Sequence, residues 1–214
     1  MNTNMTTQDM IKIGIPLLTF FLGTLYSIFN NKRQQKKAIR AFPQVQEAYY
    51  PIDLKEVNIK EKTKVYMNGD YAKISRKHTT ILNAEIIYLE VTNLGPGHMI
   101  NCNFSIKVSS TDDKKEWDFD VHVPLIKKDE TILIPNVTED MNQTEIITKR
   151  VTIKYLTHAQ EEMKYDMSLT KIGEDFTQIT DSLHVSRKFR QEKVFSYQGR
   201  NSLFVYLNGM KKKE

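Results

Sequence analysis

Few residues in this chain have the type and spacing to do chemistry. The histidines stand at 78, 98, 122, 158 and 184, with no H-x-H or H-x-x-x-H pair to place two imidazoles on one metal. Each reads as a solvated surface residue rather than a ligand or general base. Asp112-Asp113 and Asp118-x-Asp120 put carboxylates close together. Calcium, however, takes about six to eight oxygens, and the glycine-bearing loop of the helical calcium motif is absent. The aspartates therefore read as a charged turn and a wet sheet face. No serine lies in a G-x-S-x-G elbow, and Gly95-Pro96-Gly97 is too short to cradle a phosphate. Cys102, the single cysteine, excludes an intramolecular disulfide framework and favours a reducing compartment. These residues predict a protein without catalytic activity, cofactor or metal.

Charge is concentrated rather than spread. Lys32, Arg33, Lys36, Lys37 and Arg40 follow one another without an acid among them, and they match the whole formal charge of +5. Lys211, Lys212 and Lys213 add a surplus at the C-terminus, leaving the body near neutral or slightly acidic. A nucleic-acid footprint is thus not indicated, despite a pI of 9.1. No small-molecule substrate is evident either.

The basic run follows Met10–Phe29, MIKIGIPLLTFFLGTLYSIF, whose one charge is Lys12. About 20 apolar residues at ~1.5 Å each cover a ~30 Å hydrocarbon core. Lys12 lies near one end, where it can snorkel, and Tyr26 and Phe29 lie near the other. A cleaved signal would carry its cations before the apolar stretch, and here they come after it. The expectation is a transmembrane helix over 10–30, preceded by a short tail over 1–9. The basic residues are expected to meet lipid headgroups on the cytoplasmic face. That gives a single-pass protein of the cell membrane, with its N-terminus outside and its C-terminal domain cytoplasmic.

Residues 31–51 read as a basic helical stalk, kinked at Pro43. Asn68-Gly69 suggests a tight hairpin turn. From Ala84 the period changes to two. Ile87, Leu89 and Val91 share a face, with Tyr88, Glu90 and Thr92 on the other. After the Asn93–Gly97 turn, Ile100, Cys102, Phe104, Ile106 and Val108 alternate with polar residues, which places Cys102 in the core. Trp117, Phe119, Val121 and Val123 repeat the pattern, as do Val151, Ile153 and Tyr155, then Met163, Tyr165, Met167 and Leu169. Turn signals between these runs predict an antiparallel β-sandwich over 52–207, with a basic tail over 208–214. After Lys171 the pattern fits helix or strand, and Gln198-Gly199 suggests a last turn.

At VTNLGPGHMINCNFSI the sequence resembles Ig-like β-sandwich modules of bacterial membrane-anchored proteins, whose strand–turn–strand reads V-x-N-x-G-x-G-P-A-x-N-V. Asn93, Gly95, Gly97 and Asn101 match; His98 and Met99 replace proline and alanine, and Cys102 replaces valine. The likeness covers about residues 82–170 and gives these four positions a structural role in the turn. It implies a module that binds partners or acts as a spacer. The functional expectation is a membrane-tethered interaction or scaffold module whose partners are the lipid bilayer and another protein. The alternative is an exported adhesin or sugar-binding sandwich of inverted topology. In that case the glycosylation sequons at Asn103, Asn136 and Asn142 would matter, and the aspartates would hold an ion.

Overall fold

The computed structural model of the chain describes residues 7–52, 63–66, 85–110, 115–137, 146–172, 176–187 and 190–201, with Leu54, Tyr71, Lys73 and Ile74. Side chains within 7–14, 171–177 and 199–201 are outside that description. The chain divides into two compact units, Met1–Ile39 and Arg40–Glu214.

The first unit is helix α1, Thr7–Ala38. Lys36 and Lys37 occupy its last turn, where positive charge complements the helix dipole. Thr19 and Thr24 donate their hydroxyls to the carbonyls of Ile15 (2.9 Å) and Phe20 (2.8 Å), so these polar groups are satisfied within the helix. The expected helix is present. Among the described residues, no helix is long and apolar enough to cross a membrane. The described apolar belt, Ile15–Phe29, is interrupted by Pro16, Thr19, Thr24 and Ser27 and gives way to Asn30 and Asn31.

The stalk is shorter than the sequence suggested, because helix ends at Ala38 and Pro43–Pro51 is strand β1. Proline suits the first position of a strand, where its missing N–H and fixed φ are tolerated. Val45, Tyr49 and Tyr50 then favour a pleated surface.

The second unit is two sheets. β1 pairs along its whole length with β3 (Glu85–Asn93), which pairs with β6 (Thr131–Pro135); β2 (Thr63–Val65) joins β6 in parallel. The other sheet runs β10-β9-β8-β7-β4-β5, antiparallel throughout. Its strands are β4 (Met99–Ser110), β5 (Glu116–Ile126), β7 (Ile146–Thr157), β8 (Glu162–Ile172), β9 (Phe176–Arg187) and β10 (Arg190–Asn201). The chain changes sheet between β3 and β4, between β5 and β6, and between β6 and β7. Alternate side chains from both sheets, among them Leu89, Val91, Phe104, Ile106, Ile132, Ile153 and Tyr165, form one continuous core. The architecture is a mainly β protein of two antiparallel-rich sheets, consistent with a β-sandwich. Part of the segment after Lys171 belongs to it as β9 and β10. Gln198-Gly199 pairs with Thr180 and Ile179 inside β10 rather than making a turn.

Part of the far face of the four-stranded sheet is covered as well. Tyr88 and Leu133 point away from the main core into a second cluster with Ile52, Tyr71 and Val137. Within it, the Tyr71 hydroxyl donates to the Ile52 carbonyl and accepts from Tyr88 at 3.2 Å. The hairpin expected at Asn68-Gly69 lies outside the described residues.

Two local irregularities have clear physical causes. Between Ile100 and Asn103 the β4–β7 register shifts, and Asn101 takes φ 51°, a left-handed conformation that asparagine tolerates. This bulge brings Met99, rather than the expected Ile100, into the core ahead of Cys102. Burial pushes the Cys102 thiol pKa up to about 12, which fits an inert core residue. A second slip, between Lys107 and Val108, falls beside Thr148, whose N–H donates across the sandwich to Glu47 Oε1 at 2.9 Å. Burial raises the Glu47 pKa, and the two hydrogen bonds with Thr148 offset only part of that rise.

Two outcomes follow from this packing. An added Cβ at Gly95 would stand 2.4 Å from the Arg40 carbonyl oxygen and 2.6 Å from Ala41 Cα, both backbone atoms. Gly95→Ala is expected to cost about 1–3 kcal/mol in urea unfolding, since backbone rather than a side chain must yield; an unchanged midpoint would refute that contact. Because the folded state raises the Glu47 pKa, its stabilising share is complete below the ordinary value near ~4.3 and is lost as pH climbs through the folded value. Glu47→Gln, which keeps the acceptor oxygen, should match the parent stability at pH 4 and exceed it at pH 8.

Candidate functional site: the open face of the six-stranded sheet

The residues expected to carry function divide between two settings. Lys32, Arg33, Lys36 and Lys37 lie exposed on the C-terminal part of α1. Arg40 does not join them as a headgroup contact, because its side chain is only 5% exposed. Its Nε and Nη2 donate to Glu161 Oε2 (2.9 Å) and Oε1 (3.1 Å), a two-pronged pair with a carboxylate that is itself buried. Arg187 Nη2 reaches the same Glu161 Oε1 at 3.1 Å, and its Nε reaches Glu192 at 3.3 Å. The charges thus form a chain, Arg40–Glu161–Arg187–Glu192, across four segments of the β unit.

The turn residues also have structural work. Asn93 is fully buried; its amide donates to the carbonyls of Gly97 (2.8 Å) and Lys127 (3.2 Å), and its Oδ1 accepts from Gly95 N (3.1 Å). One side chain therefore ties the β3–β4 turn to the β5–β6 turn. The close approach of Gly95 to Arg40–Phe42 explains the first glycine of the motif. His98 accepts from the Lys128 N–H at 3.2 Å and meets His158 edge to face at 6.0 Å. His122 pairs with Asn103 at 2.9 Å. None of these imidazoles faces a carboxylate in a catalytic pairing among the described residues. Nor do three or more His, Cys, Asp or Glu side chains there gather as metal ligands.

What remains open is the outer face of the six-stranded sheet. Most of its outward side chains are polar, with Ile100, Leu125 and Leu156 as an apolar row, and the strand register lines them up. One row runs His122, Asn103, Lys154, Lys164, His184, Lys193 across β5, β4, β7, β8, β9 and β10. The next runs Asp120, Ser105, Thr152, Asp166, Ser182, Ser196. Asp166 receives Lys164 (2.7 Å), Thr152 (2.7 Å) and Arg150 (3.3 Å). Burial alone would raise its pKa; those hydrogen bonds and charges outweigh it and hold the carboxyl below the usual range. Lys154 and Lys193 have no ion-pair partner among the described residues. Beside this row lies a groove of about 610 Å³, bordered by Asn101, Asn103, Lys154, Glu162, Lys164 and Gln191. The bulge that sets Asn101 at positive φ thus also shapes the groove's border.

No protein-family model, curated protein or solved structure matches this chain. The face must therefore be judged on its own geometry. Sequence reasoning missed both the row and the buried charge chain, since each is assembled from strands far apart in the chain. Arg40 and Glu161 are separated by 121 positions.

Removing one partner of a buried pair leaves an uncompensated charge, at a cost of ~3–5 kcal/mol. Glu161→Gln should therefore unfold at markedly lower urea. Arg40→Met combined with Glu161→Leu should recover most of the loss, because an apolar pair can replace a buried ion pair. Wild-type behaviour of the single variant would show that the pair does not hold the domain.

Proposed function

We propose that the chain is a membrane-tethered interaction or scaffold module without catalytic activity. The helix inserts its apolar belt into a bilayer, and the open sheet face of the sandwich receives a partner. The observation that carries the reading is the surface of α1. Ile15, Leu17, Leu18, Phe20, Phe21, Leu22, Tyr26 and Phe29 are all exposed, covering consecutive positions and hence every face of the helix. A contiguous apolar surface of that kind marks a membrane or protein contact. Two threonines that satisfy their hydroxyls within the helix suit the same surroundings. The adjacent Lys32, Arg33, Lys36 and Lys37 complement the anionic cytoplasmic leaflet, which would leave the β unit in the cytosol.

The strand order supports an Ig-like reading of the sandwich. The two sheets are connected by three changes of sheet, at β3–β4, β5–β6 and β6–β7, as in that class of fold. On this reading β9 and β10 are additions beside the last strand.

The test is flotation of the full chain with vesicles containing anionic lipid, followed by alkaline carbonate washing and protease treatment of sealed native membranes. The chain should float and resist carbonate, and Leu18→Lys with Phe21→Lys should abolish both. Residues 40–214 should be digested only after permeabilisation. Release by carbonate would overturn insertion, and digestion from outside would overturn the cytoplasmic placement in favour of an exported adhesin.

A further inference from the structure

We infer that Glu47 and Asn136, positioned by Thr148, form a site for a monovalent alkali cation between the two sheets. The inference is independent of α1 entering a membrane and of what the open sheet face receives.

Three segments bring oxygen atoms together here. On β1, Glu47 alternates with the core-packed Val45 and lies opposite Leu89, so its carboxyl points between the sheets. Asn136 follows β6, is 1% exposed, and donates its N–H to the Ile87 carbonyl at 2.9 Å. Thr148 is fully buried on β7. Val151, Ile153 and Tyr155 point inward, so strict alternation would turn Lys149 inward and Thr148 out. Instead Lys107 pairs with Arg150 and Val108 with Thr148, which makes Lys149 the extra residue of a bulge. The strand gives up regular pairing to bring a hydroxyl inside, where a core built for packing alone would hold an aliphatic side chain.

The hydrogen bonds fix which atoms are left over. The Thr148 N–H donates to Glu47 Oε1 at 2.9 Å, and its hydroxyl bonds the same carboxyl. With its hydrogen committed there, that hydroxyl accepts from Asn136 Nδ2 at 3.2 Å. Asn136 Oδ1 is then a buried acceptor with no partner. Glu47 has no lysine, arginine or histidine partner among the described residues. Two acceptors thus flank one hydroxyl, one of them charged, and neither meets a positive group.

Ligand type and charge decide the class of ion. Carboxylate and carboxamide oxygens are hard ligands, suited to alkali and alkaline-earth ions. One carboxylate balances one positive charge, whereas a divalent ion would leave a net charge buried between the sheets. A water molecule would partner Oδ1 and leave the carboxylate charge unanswered. An ion can enter past β1, which is the outer strand of its sheet and leaves Glu47 partly exposed. Bound there, it joins both sheets at the end opposite the Arg40–Glu161 pair.

The experiment is thermal unfolding of the full chain in uncharged detergent at pH 8, in sodium, potassium, calcium or choline chloride at equal ionic strength. Sodium-23 line broadening measures binding directly. Sodium or potassium should raise the melting temperature by roughly 3 °C or more over choline, which is too large for the site. The gain should vanish at pH 4, where the Glu47 carboxyl is protonated. Glu47→Gln keeps the shape and removes the charge, so it should lose both the gain and the broadening. Its advantage over the parent at pH 8 should shrink as sodium replaces choline. Asn136→Ala also removes the bond to Thr148, so it is judged on sodium binding, which should weaken at least tenfold. Equal melting in all four salts, or an alkali gain that survives in Glu47→Gln, would overturn the site. A larger gain with calcium than with sodium and potassium would overturn the monovalent assignment.

Discussion

The β unit depends on how its first residues enter it. Arg40–Phe42 pass so close to Gly95 that no side chain fits between them. The segment is then held from three directions: Arg40 by the Glu161 carboxylate, the Ala41 carbonyl by the Tyr155 hydroxyl at 2.8 Å, and the Phe42 carbonyl by Leu94 N–H at 2.9 Å. This fixes where β1 begins and therefore its register on β3, from Pro43 opposite Asn93 onward. Asn93 carries the constraint to the β5–β6 turn. One crossing of backbone over glycine thus sets the relation between both sheets at that end of the sandwich.

The two sheets meet solvent differently. The four-stranded sheet is covered on part of its second face, where Tyr88 and Leu133 lie under the Ile52–Tyr71 cluster, while Gln44 and Gln46 of β1 stay exposed. The six-stranded sheet has one face with no second layer among the described residues. Outward residues there meet solvent, and several pair with one another, as Arg150, Thr152 and Lys164 do with Asp166.

Much of the fold was legible from period-two alternation. β4, β5, β7 and β8 lie where Phe104, Phe119, Ile153 and Tyr165 were expected to mark buried faces, and Cys102 is in the core. The reading failed where local signals were weak or tertiary contacts overrode them. Pro43 looked like a kink in a helix, but opens a strand whose partner is far along the chain. Gln198-Gly199 had turn composition, yet β9 keeps it paired. The bulge at Asn101 shifts the inward phase by one residue, which alternation alone could not reveal. Arg40 sat in a basic run and was grouped with its neighbours, though its carboxylate lies at Glu161. The row on the open face was invisible for a related reason. Lys154, Lys164, His184 and Lys193 become neighbours only once strand register is known.

The sheet order also bears on when the fold can exist. β7 to β10 form a meander of consecutive neighbours, whose short loops close quickly. β1, by contrast, needs β3 for its ladder, Thr148 for Glu47 and Glu161 for Arg40. A ribosome delivers β1 about a hundred residues or more before Thr148 and Glu161. The sandwich therefore cannot close around its own beginning until synthesis has passed Glu161, and throughout that interval α1 and β1 are out in the cell without it. Whatever receives the apolar helix during those seconds acts on a chain that has not yet acquired its domain.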